Sequence, residues 1–140
     1  MDVVAGRGRY SRPVPEDLDL IYDRLRPLLA QHAPPFAERS GGIPGKRDYQ
    51  LWSERDVVIE GRPRTEVYFA GLIVQKSYVG FYFMPVYTEP ERKGLFAPGL
   101  LKLLKGKSCF HVRRLDDELL DQVGAALAEG RRLYEARGWV

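Results

Sequence analysis

The stretch from Glu66 to Glu89, EVYFAGLIVQKSYVGFYFMPVYTE, limits the folds open to this chain more than any other. Two runs rich in β-branched and aromatic residues flank a short polar turn at Lys76 and Ser77, the pattern of an antiparallel hairpin. A two-residue turn sets Gln75 opposite Tyr78, Val74 opposite Val79, Leu72 opposite Phe81, Gly71 opposite Tyr82 and Phe69 opposite Met84. Alternation then gives two unequal faces. One carries Ala70, Leu72, Val74, Val79, Phe81 and Phe83, the composition of a surface packed under helices. The other carries Phe69, Gly71, Ile73, Gln75, Tyr78, Gly80, Tyr82 and Met84, where glycines beside tyrosines leave hollows and the rings have polar tips. Of these, Phe69, Tyr78, Tyr82 and Met84 are the candidate contact surface for a ligand or partner.

Either side of the hairpin, the pattern turns helical. Leu18, Ile21, Tyr22, Leu25, Leu28 and Leu29 recur at spacings of three and four, with Pro15, Glu16 and Asp17 as a start signal and a kink expected at Pro27. Near the other end, Asp116 is placed to cap a helix with Asp117 and Glu118 in its first turn. Leu119, Leu120, Val123, Leu127 and Tyr134 give its apolar stripe; Gly138 ends it and Trp139 folds back. Between these helices, short β-like runs are expected at 49–53, 57–60 and 107–113, a loop at 33–47 and a broken apolar helix at 95–104. The fold class is therefore α+β, a single antiparallel sheet with the N- and C-terminal helices packed on one face. The last helix should cross the face made by Leu72, Val74, Phe81 and Phe83. Residues 1–13, with three arginines and almost no large apolar group, read as a flexible arm, and 14–140 as one domain.

Cys109 is the only cysteine, so no disulfide forms within one copy and a reducing, cytoplasmic compartment is expected. Neither a signal peptide nor a membrane span is expected, because no apolar run approaches the roughly 20 residues that a bilayer requires. Net charge is +3, from 22 basic and 19 acidic residues, too mild to name a partner. The loop Gly41 to Arg47 is glycine-rich but misses a phosphate-loop motif: its glycine spacing is one short, Arg47 stands where Ser or Thr would hold magnesium, and a strand follows. With Arg62 and Arg64 it is expected to attract an anion weakly at most.

Cys109 and His111, two apart on one strand, stand nearly ~7 Å from each other, too far for a nucleophile and its base, and two ligands do not make a zinc site. No catalytic constellation, metal set or cofactor motif stands out, and the chain reads as non-enzymatic.

The run Gly106-Lys107-Ser108-Cys109-Phe110-His111-Val112, then Arg114-Leu115-Asp116-Asp117 opening a helix that ends Tyr134-Glu135-Ala136-Arg137-Gly138-Trp139, resembles the YdhG-like family, domain of unknown function 1801. The resemblance spans about residues 15–139 and implies a small bacterial cytoplasmic domain of the YdhG/YjbR/CyaY-like superfamily, an antiparallel sheet with helices packed on it. One branch, the frataxin-like proteins, is associated with iron and an acidic surface. Here Glu16, Asp17, Asp19 and Asp23 are interrupted by Arg24 and Arg26. The expected function is a binding or chaperone-like module that uses the apolar sheet face for a small apolar ligand, a protein partner or a second copy of the chain. Nucleic-acid binding through Arg7, Arg9, Arg12, Lys102, Lys105 and Lys107, and frataxin-like iron handling, are the alternatives.

Overall fold

A computed structural model describes residues 17–88 and 94–140. The expected arm at 1–13, with Arg7, Arg9 and Arg12, and the helix-start residues Pro15 and Glu16 lie outside the described residues.

Helix α1 (Leu18–Ala30) starts at Asp17, whose carboxylate accepts from the Asp19 N–H, and buries Ile21, Tyr22, Leu25 and Leu29. Pro27 lies inside the helix, which continues to Ala30; tighter turns follow, with His32 and Ala33 donating to the carbonyls three residues back. Among the described residues, eight strands lie between α1 and the last helix, in two sheets. β1 (Ala37–Arg39), β2 (Asp48–Ser53), β5 (Val67–Val74), β6 (Val79–Phe83), β7 (Leu104–Lys105) and β8 (Cys109–Val112) make one antiparallel sheet in the order β1-β2-β5-β6-β8-β7. β3 (Val57–Ile59) and β4 (Arg62–Arg64) pair as a separate small hairpin, so the fold is α+β with two sheets rather than the single sheet expected. Arg62, Pro63 and Arg64 are all exposed, which is why no apolar alternation marked them as a strand.

The β5–β6 hairpin keeps the expected register: Val74 faces Val79, Leu72 faces Phe81 and Gly71 faces Tyr82. Gln75 donates to the Tyr78 carbonyl across the turn at 2.9 Å. After β6 the chain enters a single helical turn, α2 (Pro85–Thr88), and the expected helix at 95–104 shrinks to α3 (Pro98–Leu101). Leu104 and Lys105 instead form β7, which hairpins onto β8.

Helix α4 (Asp117–Ala136) begins as its cap residue predicts, the Asp116 carboxylate accepting from the Leu119 N–H at 2.8 Å. At its end Gly138 takes φ 74°, and the Trp139 N–H reaches back to the Tyr134 carbonyl at 2.9 Å, laying the Trp139 ring edge-on against Tyr134. The buried stripe of α4 is Val123, Ala126, Leu127, Gly130, Leu133 and Tyr134, with Leu119 and Leu120 only half-buried.

The core lies between one sheet face and the helices. Leu51, Ala70, Leu72, Val79, Phe81, Phe83, Phe110 and Val112 are fully buried on that face, as the alternation in the hairpin requires. The expected arrangement above it changes in one respect. α1 lies over β5 and β6, the place expected for α4, while α4 packs beside α1 and meets the sheet at Phe69 and Phe83. Arg24 of α1 ties the two helices by donating to the Leu115 carbonyl and to Asp117.

Gly130 sets how close α4 comes. A methyl group there would lie 2.6 Å from the Phe83 ring and 2.7 Å from Pro85, inside contact distance. Gly130→Ala should therefore destabilise by about 1–2 kcal/mol, overpacking outweighing alanine's better helix propensity. Phe81→Ala, at a fully buried ring, should cost about 3–5 kcal/mol. Urea denaturation followed by circular dichroism measures both; an unchanged midpoint in either variant would contradict this packing.

Candidate functional site

The sheet face away from the helices is built from strand residues that pair with one another. Arg39, Gln50, Gly71, Tyr82, Cys109 and Lys105 follow one line across the strands; Trp52 and Tyr68 form a second, and Asp48, Ile73, Gly80 and His111 a third. Trp52, Tyr68, Tyr78, Tyr82 and His111 are all half-buried.

Two of the four residues expected on this face belong elsewhere. Phe69 is fully buried: its ring stacks on Phe36 at 4.1 Å and meets Tyr134 and Phe83 edge-on. The cause is an irregularity in the β2–β5 pairing, where Leu51 faces Ala70 but Trp52 faces Tyr68, leaving Phe69 as an extra residue. Alternation breaks there, so Phe69 joins Ala70 in the core and Tyr68 comes out in its place. Met84, one residue past β6, is half-buried and packs against the core. Tyr78 and Tyr82 stand on the open face as expected. The expected hollows beside the glycines are filled. A Cβ on Gly71 would lie 2.1 Å from the Tyr68 hydroxyl, and one on Gly80 2.9 Å from the Tyr82 ring, so each tyrosine occupies the space over a glycine.

Side-chain hydrogen bonds hold Trp52 and Tyr82. The Trp52 indole donates to Gln50 at 3.0 Å, the Gln50 amide donates to Asp48, and the other Asp48 oxygen accepts from the Gly41 N–H at 2.8 Å. Lys46 donates to Gln75 at 2.8 Å, and the Gln75 amide donates to the Tyr82 hydroxyl; Tyr82 pairs across the strands with Cys109. Burial pushes the Tyr82 hydroxyl and the Cys109 thiol up, and burial raises Tyr68 strongly, so all three stay protonated at neutral pH. Cys109 is a thiol rather than a thiolate nucleophile.

The rings lie in two groups. Trp52 and Tyr68 sit 5.0 Å apart, with the Arg39 guanidinium 4.5 Å above Trp52; that guanidinium is also held by Glu54 and Glu66. Tyr78 stacks on His111 at 3.7 Å, nearly parallel, with Arg113 5.6 Å from the Tyr78 ring. Burial, then the neighbouring Arg113 and Lys105 cations, hold the His111 imidazole below its ordinary pKa, so it is neutral at pH 7.

The charge distribution separates the two groups. From Val67 to Leu115 the chain has eight Lys and Arg and two acids, Glu89 and Glu91. β6, β7 and β8, with the turns that join β5 to β6 and β7 to β8, carry no carboxylate; Glu89 and Glu91 fall in the connection from β6 to β7, and Asp116 ends the segment after β8. Among the described residues, no carboxylate forms an ion pair with Lys105, Lys107 or Arg113, all exposed.

Other sequence candidates serve the fold. Asp19 and Asp23, expected as iron ligands on the frataxin-like alternative, both grip Arg47, at 3.0 and 2.6 Å, while Arg47 lies 4.1 Å over the Tyr22 ring. The Gly41–Arg47 loop is likewise occupied by the chain's own groups, through Gly41 to Asp48, Lys46 to Gln75 and Arg47 to α1. Part of the loop expected at 33–47 is β1, which pairs with β2 at the edge of the sheet. Trp52, Tyr68 and His111 were not singled out by the hairpin pattern. The signal that places Trp52 and His111 is the alternation in β2 and β8, where Gln50 and Trp52, and Cys109 and His111, alternate with buried neighbours; Tyr68 has no such signal, because only the irregular pairing with β2 turns it outward.

No family model, curated protein or solved structure matches the chain. Among the described residues no helix is long and apolar enough to cross a membrane.

His32 gives a test of the α1–α4 packing beneath this face. It is buried against Arg131, its Nδ1 3.5 Å from the guanidinium, and burial followed by that cation lowers its pKa. The unfolded chain thus takes up the proton at a higher pH than the folded one. Stability is full above about pH 6.5, the ordinary histidine value, and falls as pH drops below it. Thermal melts at pH 7.5 and 5.5 should show a loss at the lower pH that is smaller in His32→Gln; an equal loss would contradict the buried, neutral imidazole. For Cys109, iodoacetamide alkylation should be slower at pH 7 than for free cysteine, with its pH–rate midpoint above the free value.

Proposed function

We propose that this protein is a non-enzymatic binding module that holds a flat, negatively charged partner on the open face of its six-stranded sheet. One observation carries this reading: the rings of that face are half-exposed, held in place by hydrogen bonds at Trp52 and Tyr82 and by ring contacts at Tyr68, Tyr78 and His111, and bordered by cationic side chains that no described carboxylate neutralises at the β7–β8 side. Such rings offer π surface at little cost in ordering, because their conformations are already fixed. Polar hydroxyl, indole and amide groups among the rings favour a partner with its own hydrogen-bonding edges over a purely apolar one.

The same arrangement argues against chemistry at Cys109 and His111. The thiol is held protonated, and the imidazole is committed to stacking on Tyr78. A YdhG-like relationship fits the order of an N-terminal helix, antiparallel strands and a capped C-terminal helix, and rests on Gly106–Asp117 and Tyr134–Trp139. The resemblance implies little about activity and names no partner.

A planar aromatic anion tests the face without presuming its natural ligand. Titration of 15N-labelled protein with anilinonaphthalene sulfonate should shift the Trp52 indole, the Gln50 and Gln75 side-chain amides and the backbone of Gly80, Tyr82 and His111. Tyr82→Ser should weaken the effect severalfold while leaving the fold intact by circular dichroism. Shifts confined to the helical side, or none at millimolar probe, would remove the proposal.

A further inference from the structure

Resting on that reading, we propose that the partner is single-stranded nucleic acid, with bases stacked against the Tyr78–His111 pair and Tyr82 and phosphates on Lys105, Lys107 and Arg113. Single strands without sequence preference are held by two elements together: aromatic faces for the bases and a cationic track for the backbone. Both occur at one side of this sheet.

The stacking element is preformed. Tyr78 and His111 lie 3.7 Å apart with an 11° angle between their planes, the geometry of one base on another, and both are half-exposed at the edge of the pair. Tyr82 covers Gly80, the residue that pairs with His111. Tyrosine and neutral histidine accept a base of any identity, because every base has a π face. His111 contributes its ring in the uncharged form at neutral pH.

The cationic element runs the length of β8, from Lys107, whose Nζ lies 5.4 Å from the Tyr87 ring, to Arg113 beside the Tyr78–His111 pair. Lys105 pairs across the edge of the sheet with Cys109, Lys107 sits in the turn that joins β7 to β8, and Arg113 follows β8 directly, 5.6 Å from the Tyr78 ring. The other end of the open face lacks this free charge, since Arg39 is bound to Glu54 and Glu66. The distribution favours a polyanion at the β6–β8–β7 side and disfavours one at the β1 side. A duplex is the weaker candidate: its bases are already stacked and present no faces to Tyr78 and His111, leaving only the phosphate contacts.

Stacking and charge make separable predictions. Fluorescence anisotropy with a labelled oligothymidylate of about a dozen nucleotides, a length within known single-strand site sizes, should show binding at low salt. The log of affinity should fall against log salt with a slope of about −2, set by three phosphates at ~0.7 each. Lys105→Gln, Lys107→Gln or Arg113→Gln should each reduce that slope by ~0.7. Tyr78→Ala or His111→Ala should weaken binding about tenfold or more and leave the slope unchanged, while Tyr78→Phe keeps full affinity. Thermal melts of each variant show whether it is folded.

Failure to bind oligothymidylate at low salt would overturn the inference, as would equal affinity for a duplex of the same length or no effect of the ring variants. If anilinonaphthalene sulfonate still lands on this face when the oligonucleotide does not, the partner class is wrong and the binding face stands; if neither binds, both proposals fall. A dimer seen by sedimentation, lost in Tyr78→Ala and formed without oligonucleotide binding, would assign the face to a second copy of the chain instead.

Discussion

One extra residue in β5 decides which side of this sheet is core and which is free. Opposite Leu51 and Trp52, strand β5 supplies Ala70, Phe69 and Tyr68, three residues against two. With regular alternation Phe69 would stand on the open face and Tyr68 in the core. The irregularity reverses them, placing an apolar ring against Phe36, Tyr134 and Phe83 and a phenol over Gly71. A buried Phe69 contributes a full side chain of apolar burial, on the order of 1.5–3 kcal/mol. Tyr68 on the core side would have to bury its hydroxyl among the rings that surround Phe69, at a cost of roughly 1–3 kcal/mol without a partner. The two effects act in the same direction, and the aromatic character of the open face follows from them.

The helical side answers the shape of that core. Gly130 lets α4 approach Phe83, and the Tyr134 hydroxyl donates to the Tyr68 carbonyl, joining the helix to the irregular stretch of β5 itself. Trp139, folded back by the turn at Gly138, closes over Tyr134, and the Ser53 hydroxyl donates to the Trp139 carbonyl. The last turn of α4 and the end of β2 are therefore fixed to the segment where Phe69 and Tyr68 exchange sides. On the opposite face no such apolar packing is needed, and hydrogen bonds among Trp52, Gln50, Asp48, Gln75 and Tyr82 set the positions of the side chains instead.

Much of this was legible in the sequence wherever the determining interaction is local. The hairpin register follows from a two-residue turn and the period of a strand, and Val74 opposite Val79 is where that rule puts it. Asp116, Gly138 and Trp139 mark the ends of α4 through caps that need only neighbouring residues. What was not legible depends on a partner strand or a partner helix. The irregularity at Phe69 exists only in relation to β2, so the run VYFAGLIV gives no sign of it. β1 and β4 are three-residue strands with little apolar content, formed because a neighbouring strand offers pairing. The choice between α1 and α4 over the middle of the sheet turns on the depth of each helix's approach. The open-face site was half visible: Tyr78 and Tyr82 follow from alternation in the hairpin, whereas Trp52, Tyr68 and His111 need the neighbouring strands to bring them alongside.

The exchange of Phe69 and Tyr68 is open to direct measurement by nuclear Overhauser spectroscopy on the isotope-labelled protein. Cross-peaks are predicted between the Phe69 ring and the rings of Phe36 and Tyr134, and between the Tyr68 ring and the α-protons of Gly71, which should also move upfield under the ring. Cross-peaks from Phe69 to Trp52 or Tyr82, with Tyr68 in contact with Phe36, would contradict this account of the two faces.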